Sequence, residues 1–237
     1  MELARTVTAD FRAREGRNLV AVGVYGSVAR GEERRHSDVD MLVVVRRKRR
    51  PIVHEVRDGV VLTVLLQTPD EARAEVTGSR GDINAALGGW TSLQPLHDPT
   101  GLLRRLRTRA RHPTVRQFQE ASRWALLEAY EDVGKLWNAV EAHDEDEARE
   151  MSIWFSTAAA GALFDLHRHV LKTGRRAFVE VRRYGRLGTA IRRLRYDRLS
   201  LSQMKRFSEF VWRRLLDRAA ANGVRLPPLF RDARGAL

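Results

Sequence analysis

The stretch Gly26-Ser-Val-Ala-Arg-Gly-Glu-Glu-Arg-Arg-His-Ser-Asp-Val-Asp40 decides the fold of this chain, because an apolar run stands on each side of it. Residues 19–25 before it and 41–45 after it are short and rich in valine, which predicts two buried strands. The Gly-Ser step lets backbone N–H groups turn toward an anion, and the residues after it are expected to open a helix. The sequence therefore predicts a phosphate cradle between two strands.

Two carboxylates close this stretch. Asp38 and Asp40 stand two apart on a predicted strand, so both side chains project from one face, about 7 Å apart at the backbone. Carboxylate oxygens are ligands that magnesium takes from proteins, alongside substrate phosphates. A phosphate cradle that faces a carboxylate pair is the arrangement that magnesium-dependent nucleotidyl transfer requires.

This arrangement resembles the DNA polymerase beta superfamily of nucleotidyltransferases, whose signature is Gly-Ser, a helical stretch and then Asp-x-Asp. The resemblance implies that Gly26 and Ser27 hold the triphosphate of ATP or another nucleoside triphosphate, with Arg30 assisting from the first helical turn. It also implies that Asp38 and Asp40 bind Mg²⁺ and are catalytic.

A second constellation lies in residues 130–138, Tyr-Glu-Asp-Val-Gly-Lys-Leu-Trp-Asn. Glu131 and Lys135 are four apart on a predicted helix and share a face, and Asn138 follows one turn later. Gly134 costs about 1 kcal/mol relative to alanine inside a helix, which indicates a close neighbour. Spacing alone fits equally an exposed Glu–Lys pair beside a glycine that admits a neighbouring helix.

The motif Glu-x-x-Gly-Lys-x-x-Asn on the first helix after an Asp-x-Asp domain resembles the family of kanamycin nucleotidyltransferase, an aminoglycoside 4′-O-adenylyltransferase. The resemblance implies Glu131 as the general base on the acceptor hydroxyl, Lys135 as a contact to the nucleotide phosphates, and a pocket at a homodimer interface. It adds Glu55 and Glu128 as weaker acceptor-binding candidates. The implied reaction moves a nucleoside monophosphate, AMP foremost, onto a hydroxyl of a small molecule such as an aminoglycoside and releases pyrophosphate.

The chain also departs from that family. The superfamily usually supplies a third carboxylate from the strand after the hairpin, whereas residues 60–66 contain no acid and Thr63 falls at or beside the expected position. Glu55 on the preceding strand is a weak candidate to substitute for this acid. Leu127 stands about where the family has a carboxylate that binds the acceptor. Two alternatives therefore stay open: a nucleotide-binding or regulatory homologue with weak or no turnover, and a nucleotidyltransferase that acts on RNA.

Composition limits the classes of partner. The formal charge of +13 and the pI near 11.1 are compatible with nucleic acid, but arginine is spread along the whole chain and no basic stretch is interleaved with aromatic residues. A nucleic-acid partner is therefore less favoured than a small molecule, and the five tryptophans are expected in cores. With no cysteine, no signal-peptide core and no apolar run of 18 residues, we expect a cytoplasmic protein without a membrane span.

The hydrophobic pattern predicts an α+β protein in two domains. Residues 1–112 are expected to form a nucleotidyltransferase domain with a mixed sheet and flanking helices, and residues 113–237 an all-α helical bundle. Within the first domain, Arg57-Asp-Gly59 predicts a hairpin turn, Thr68 a helix N-cap, and the glycine-rich residues 78–89 an irregular segment.

Overall fold

The computed structural model describes residues 1–78 and 83–226. Three short 3-10 turns lie at Gly16–Asn18, Gly174–Arg176 and Val181–Tyr184. The other elements follow in the order α1 (Glu2–Glu15), β1 (Leu19–Tyr25), α2 (Gly26–Arg30), β2 (Val39–Val45), β3 (Ile52–Arg57), β4 (Val60–Gln67), α3 (Pro69–Thr77), α4 (Ile83–Ser92), β5 (Gln94–His97), α5 (Leu102–Ala110), α6 (Val115–Glu141), α7 (Glu145–Leu166), α8 (Ala177–Glu180), α9 (Gly185–Tyr196) and α10 (Leu201–Ala221).

The described residues divide into two compact units. Residues 1–78 and 85–113 form what we call the N-terminal unit, and residues 83–84 and 114–226 belong to what we call the helical unit. The predicted fold class, a mixed sheet with flanking helices followed by a helical region, is confirmed. None of the described helices is long and apolar enough to cross a membrane.

Five strands form the sheet of the N-terminal unit, in the order β3-β4-β2-β1-β5. Strand β1 runs antiparallel to β2 and β5, β3 runs antiparallel to β4, and β2 runs parallel to β4. The predicted hairpin is present, because Asp58 and Gly59 connect β3 to β4 in a two-residue turn. The Gly-Ser cradle thus follows β1, and the carboxylate pair lies at the start of the adjacent strand β2.

Alternation along the strands separates the two faces of this sheet. Val39, Met41 and Val43 of β2 belong to a core that also contains Val7 and Phe11 of α1. Residues one position away point to the other face. That face therefore carries Asp38 and Asp40 at its end and the buried Leu42 and Val44 further along.

The helical unit is built around α6, α7, α9 and α10. Its core contains fully buried large side chains, among them Leu126 of α6, Phe155 of α7 and Trp212 of α10. The long helix α6 begins with a capping box, in which Thr114 accepts from the backbone N–H of Gln117 and the Gln117 side chain accepts from that of Thr114. The prediction of a helical region after residue 113 is confirmed.

Three local features of the structure were not predicted from the sequence. The segment 78–89 is not wholly irregular, since α4 begins at Ile83; residues 79–82 of that segment lie outside the described residues. Short strand β5 pairs with β1, a long-range contact that four residues of local pattern do not reveal. Helix α9 was not predicted either, although Leu187, Ala190, Ile191 and Leu194 have the spacing of one buried helix face.

Candidate functional site

A row of four side chains crosses the sheet of the N-terminal unit at the predicted carboxylates. The register pairs Asp40 with Tyr25 of β1 on one side and with Thr63 of β4 on the other. Thr63 pairs in turn with His54 of β3, and His54 Nδ1 lies 3.1 Å from Thr63 Oγ1. Because paired residues share a face, these side chains and Asp38 project from the same side of the sheet, and we call them together the carboxylate row.

Gly26 brings the phosphate cradle into contact with this row. Its φ of +74° is left-handed, and a Cβ at this position would stand 2.6 Å from Asp40 Oδ2. Only glycine fits such a conformation and approach without strain. The turn from β1 into α2 therefore passes directly over the Asp40 carboxylate.

Ser27 is the second residue of the cradle. Its side chain is 7% exposed, and its Oγ is buried without a hydrogen-bond partner among the described residues. A buried hydroxyl in this state costs free energy unless a ligand satisfies it. A buried hydroxyl oxygen that lacks a partner in the described part of the chain lies next to a glycine whose position has no space for a side chain. This combination is expected where a phosphate ligand binds.

Three carboxylates act on the phenol of Tyr25 in this row. Burial, followed by the charges of Asp40, Glu75 and Asp38, raises the pKa of Tyr25 to about 12. Glu75 is held by hydrogen bonds from Gln67 Nε2 at 2.7 Å and from the indole N–H of Trp90 at 3.0 Å. The tyrosine hydroxyl therefore stays protonated beside a concentration of negative charge.

These donors fit one hard divalent cation. Asp38 and Asp40 offer carboxylate oxygens on one face, Thr63 offers a hydroxyl in the position next to Asp40, and the Ser27 oxygen is unsatisfied. Among the described residues, no three histidine, cysteine, aspartate or glutamate side chains are grouped as a metal site. Two carboxylates suit magnesium, which retains several waters and takes its other ligands from substrate phosphates.

The structure positions Arg30 at the end of the cradle helix. Its Nε donates to Glu32 Oε2 at 2.8 Å, and its side chain is 18% exposed. In the following loop Ser37 Oγ accepts from the backbone N–H of Arg34 at 2.8 Å. The loop before the carboxylates is thus tied by its own polar groups, and the role of Arg30 toward a nucleotide stays a prediction.

Glu55 is the candidate that the structure does not bring to this row. The register pairs it with Leu62, which pairs with Val39, so Glu55 belongs to the face opposite Asp40. His54, one residue earlier, occupies the carboxylate side. Glu55 therefore does not replace the missing third carboxylate, and alternation along β3 is the reason.

The predicted base and its lysine lie in the helical unit. Glu131 Oε1 accepts from Lys135 Nζ at 2.7 Å, and both side chains are more than half exposed. The hydrogen bond and the charge of Lys135 lower the pKa of Glu131, and the same pair raises the pKa of Lys135. Together with Glu128 they line a groove of about 420 Å³ between α6 and α7, which we call the acidic groove.

Sequence reasoning missed three residues of the acidic groove. Asp132 lines it, and burial is the main cause that raises the pKa of its carboxyl group. Trp124 and Trp154 also line it and are 46% and 57% exposed, so the expectation that all five tryptophans lie in cores is wrong. The signal was available in part, since Asp132 is adjacent to Glu131, but the tryptophans come together only when α6 packs on α7.

Comparison with known proteins supports the chemistry of the N-terminal unit. Residues 5–92 match the family model described as a nucleotidyltransferase domain, a range that includes the cradle and both carboxylates. The chain is also similar to the solved structure of a nucleotidyltransferase-like protein from Exiguobacterium sibiricum, with a TM-score of 0.62 and 13% identity, covering 94% of this chain and 77% of that one. No curated protein gives a significant match. The family match supports general nucleotidyl transfer, and the solved structure supports the fold.

Proposed function

We propose that this protein transfers a nucleoside monophosphate, AMP foremost, from a nucleoside triphosphate to a hydroxyl group of a small molecule and releases pyrophosphate. The single observation that carries the proposal is the contact of the cradle with the carboxylate row: the backbone of Gly26 passes over Asp40, and the buried Ser27 oxygen lacks a partner among the described residues. Phosphate oxygens beside a cation would satisfy both features.

Each residue has a role in this proposal. Gly26 and Ser27 bind the phosphates, and Asp38 with Asp40 would hold Mg²⁺, which supplies charge neutralisation for the triphosphate when bound. Glu131 removes the proton from the acceptor hydroxyl, and Lys135 offsets the charge that develops on the phosphates. Most of the rate then comes from positioning and charge stabilisation, which requires few groups.

The acidic groove supports a cationic acceptor. Its lining includes the carboxylates of Glu128, Glu131 and Asp132 against the single ammonium of Lys135, in a chain whose net charge is +13. Exposed Trp124 and Trp154 offer apolar and π surface beside this negative charge. An amino sugar of the aminoglycoside type combines ammonium groups with hydroxyls, and we propose such a molecule as acceptor, bound by a homodimer.

The decisive experiment separates binding from turnover. Titration of ATP with Mg²⁺ by calorimetry is expected to show binding, and an aminoglycoside panel is expected to release pyrophosphate. Asp38→Asn combined with Asp40→Asn should reduce release by at least about a thousandfold, while the thermal midpoint changes little because neither side chain belongs to the core. Full activity in that variant would refute the assignment of the carboxylates.

The absence of an acid at Thr63 favours one alternative, a nucleotide-binding homologue without turnover. In that case ATP would bind to the wild type with Mg²⁺, and no acceptor would release pyrophosphate. The same two measurements therefore distinguish the alternatives, since binding is common to both and pyrophosphate belongs only to the enzyme.

A further inference from the structure

A cavity of the helical unit shares no lining residue with the acidic groove. It measures about 760 Å³ and is formed by the end of α7, the 3-10 turn before α9, the first turn of α9, and α10. Arg183, Arg186, Arg214 and Arg218 line it, with Asp217 as the acidic residue of the lining. A concave surface of this size and charge is suited to anions.

A second cavity of about 580 Å³ continues the first along α9 and α10. The two share Arg186 and Phe210, and the second adds Arg193, Arg206 and Phe207. From Arg206 to Arg218 the α10 side of this surface extends about 18 Å, at about 1.5 Å per helical residue. We call the two cavities together the basic groove.

The positive charge of the basic groove is only half balanced. Arg193 pairs with Asp197 at 2.9 Å, Arg214 with Asp217 at 3.3 Å, and Arg183 with Glu180 at 3.8 Å. Within the described part of the chain, Arg186, Arg206 and Arg218 have no hydrogen bond or ion pair through their side chains. Three guanidinium groups along one groove repel one another unless anions lie between them.

Aromatic rings alternate with these arginines, so the expectation that no basic stretch is interleaved with aromatic residues is wrong for α10. Arg193 lies 4.5 Å above the Phe207 ring, Arg214 lies 5.8 Å from the Phe210 ring, and Tyr184 packs on His167 with ring centroids 4.3 Å apart. Phe207, Phe210 and Tyr184 are all half-buried, and the Phe207 ring already has a second guanidinium group, that of Arg206, at 5.4 Å. Cations that track phosphates, next to rings that stack bases, are the combination found in sites for single-stranded nucleic acid.

We propose that the basic groove binds single-stranded nucleic acid, with Arg186, Arg206 and Arg218 contacting phosphates along one strand and Phe210 stacking on a base. A single strand fits better than a duplex, because only unpaired bases can reach rings that lie inside a groove. This site is separate in its residues from the proposed transfer site and does not depend on it, so each proposal can fail without the other.

The test measures binding of a fluorescently labelled ten-nucleotide oligouridylate to the full chain by anisotropy, without Mg²⁺ or nucleotide. Three phosphate contacts predict a slope of about −2 for log affinity against log salt, at about −0.7 per phosphate on a single strand. Arg186→Ala combined with Arg218→Ala should weaken binding at least about tenfold and reduce the slope to about −0.7, because two of the three contacts are lost.

A matched control variant distinguishes binding at the basic groove from nonspecific attraction of the oligonucleotide to a positively charged protein. Arg213 is exposed on α10 but does not line the groove, and Arg123 is exposed on α6, so Arg123→Ala combined with Arg213→Ala removes the same charge elsewhere. This control should bind within twofold of wild type. Equal weakening by both double variants would overturn the proposal, since binding would then follow net charge alone.

A second variant tests the aromatic contribution. Phe210→Leu keeps an apolar side chain against the core and removes the ring, so thermal stability should change little while oligouridylate affinity falls about tenfold. Unchanged affinity in Phe210→Leu would remove base stacking from the proposal. Competition by ATP or by a duplex of the same length, at the affinity of the single strand, would assign the groove to a small phosphate ligand or to duplexes and overturn it.

Discussion

The carboxylate row and the acidic groove hold their predicted residues in opposite ways. In the row, strand register and the close approach of Gly26 determine where Asp40 lies, and Ser27 beside it is 7% exposed. In the groove, Glu131 and Lys135 contact each other on one exposed helix face, where either side chain can rotate away. The difference teaches that the backbone preorganises the first site, whereas the second depends on two exposed side chains whose rotamers are free to change.

The largest effect on turnover is expected at Glu131, the proposed base in the acidic groove. Glu131→Gln should lower turnover by about 10²- to 10⁴-fold and leave ATP binding intact, because only proton removal is lost. Asp132→Asn is the matched control in the same groove and should keep turnover within a few-fold. Steady-state rates with the identified acceptor provide the measurement, and the reverse ranking would make Asp132 the base.

The pH dependence tests the same pair. Since the hydrogen bond from Lys135 is the main cause that lowers the pKa of Glu131, Lys135→Met should raise that pKa. A base works only when deprotonated, so the acidic limb of the rate profile should move to higher pH in this variant. An acidic limb that stays in place would show that a different group titrates.

Gly26 provides a stability test of preorganisation in the carboxylate row. Gly26→Ala should destabilise the fold by about 2–4 kcal/mol, because alanine combines a left-handed φ with a contact to Asp40. Gly31→Ala is the control, since its φ of +66° is similar but its Cβ would meet nothing within 4 Å. We expect about 1–2 kcal/mol there in urea unfolding. Equal losses of unfolding free energy in the two variants would mean that the contact with Asp40 does not restrict the residue at position 26.

A smaller effect is expected at Thr63. Thr63→Asp adds a carboxylate next to Asp40 in the register and should tighten Mg²⁺ binding on the order of tenfold, as expected for one added charge near a protein surface. Thr63→Asn has the same shape without the charge and should bind as wild type does. Calorimetric titration with MgCl₂ compares them, and an unchanged affinity in Thr63→Asp would separate Thr63 from the metal site.

The smallest expected effect is a change in the pKa of Tyr25, which is followed by spectroscopy. In the Asp38→Asn, Asp40→Asn variant the pKa of Tyr25 should fall from about 12 but stay above its ordinary value, because burial remains the main cause of the shift. Ultraviolet titration of the phenol, with Tyr25→Phe to assign the signal, would measure it. A pKa that does not move would contradict the closeness of the two carboxylates to Tyr25.

Much of the N-terminal unit could be predicted because its signals are local. The valine-rich strands, the Asp58-Gly59 turn and the Thr68 cap each depend on a few consecutive residues, and each is present. Strand β5 and the start of α4 at Ile83 were missed, since a four-residue strand is stabilised by pairing with β1 rather than by its own propensity. The expectation that Glu55 could replace the third carboxylate failed for a related reason. The face of the sheet on which Glu55 lies is determined by its pairing with Leu62.

The sequence by itself determined the cradle and the carboxylate pair, because a Gly-Ser turn and alternation along one strand are properties of neighbouring residues. Only the tertiary structure decided which side chains stand next to them, since Thr63 and His54 reach the row of Asp40 through cross-strand register. The acidic and basic grooves likewise exist only after helices pack, when residues from two helices join one surface. Contacts between distant parts of a chain depend on packing, which no local pattern encodes.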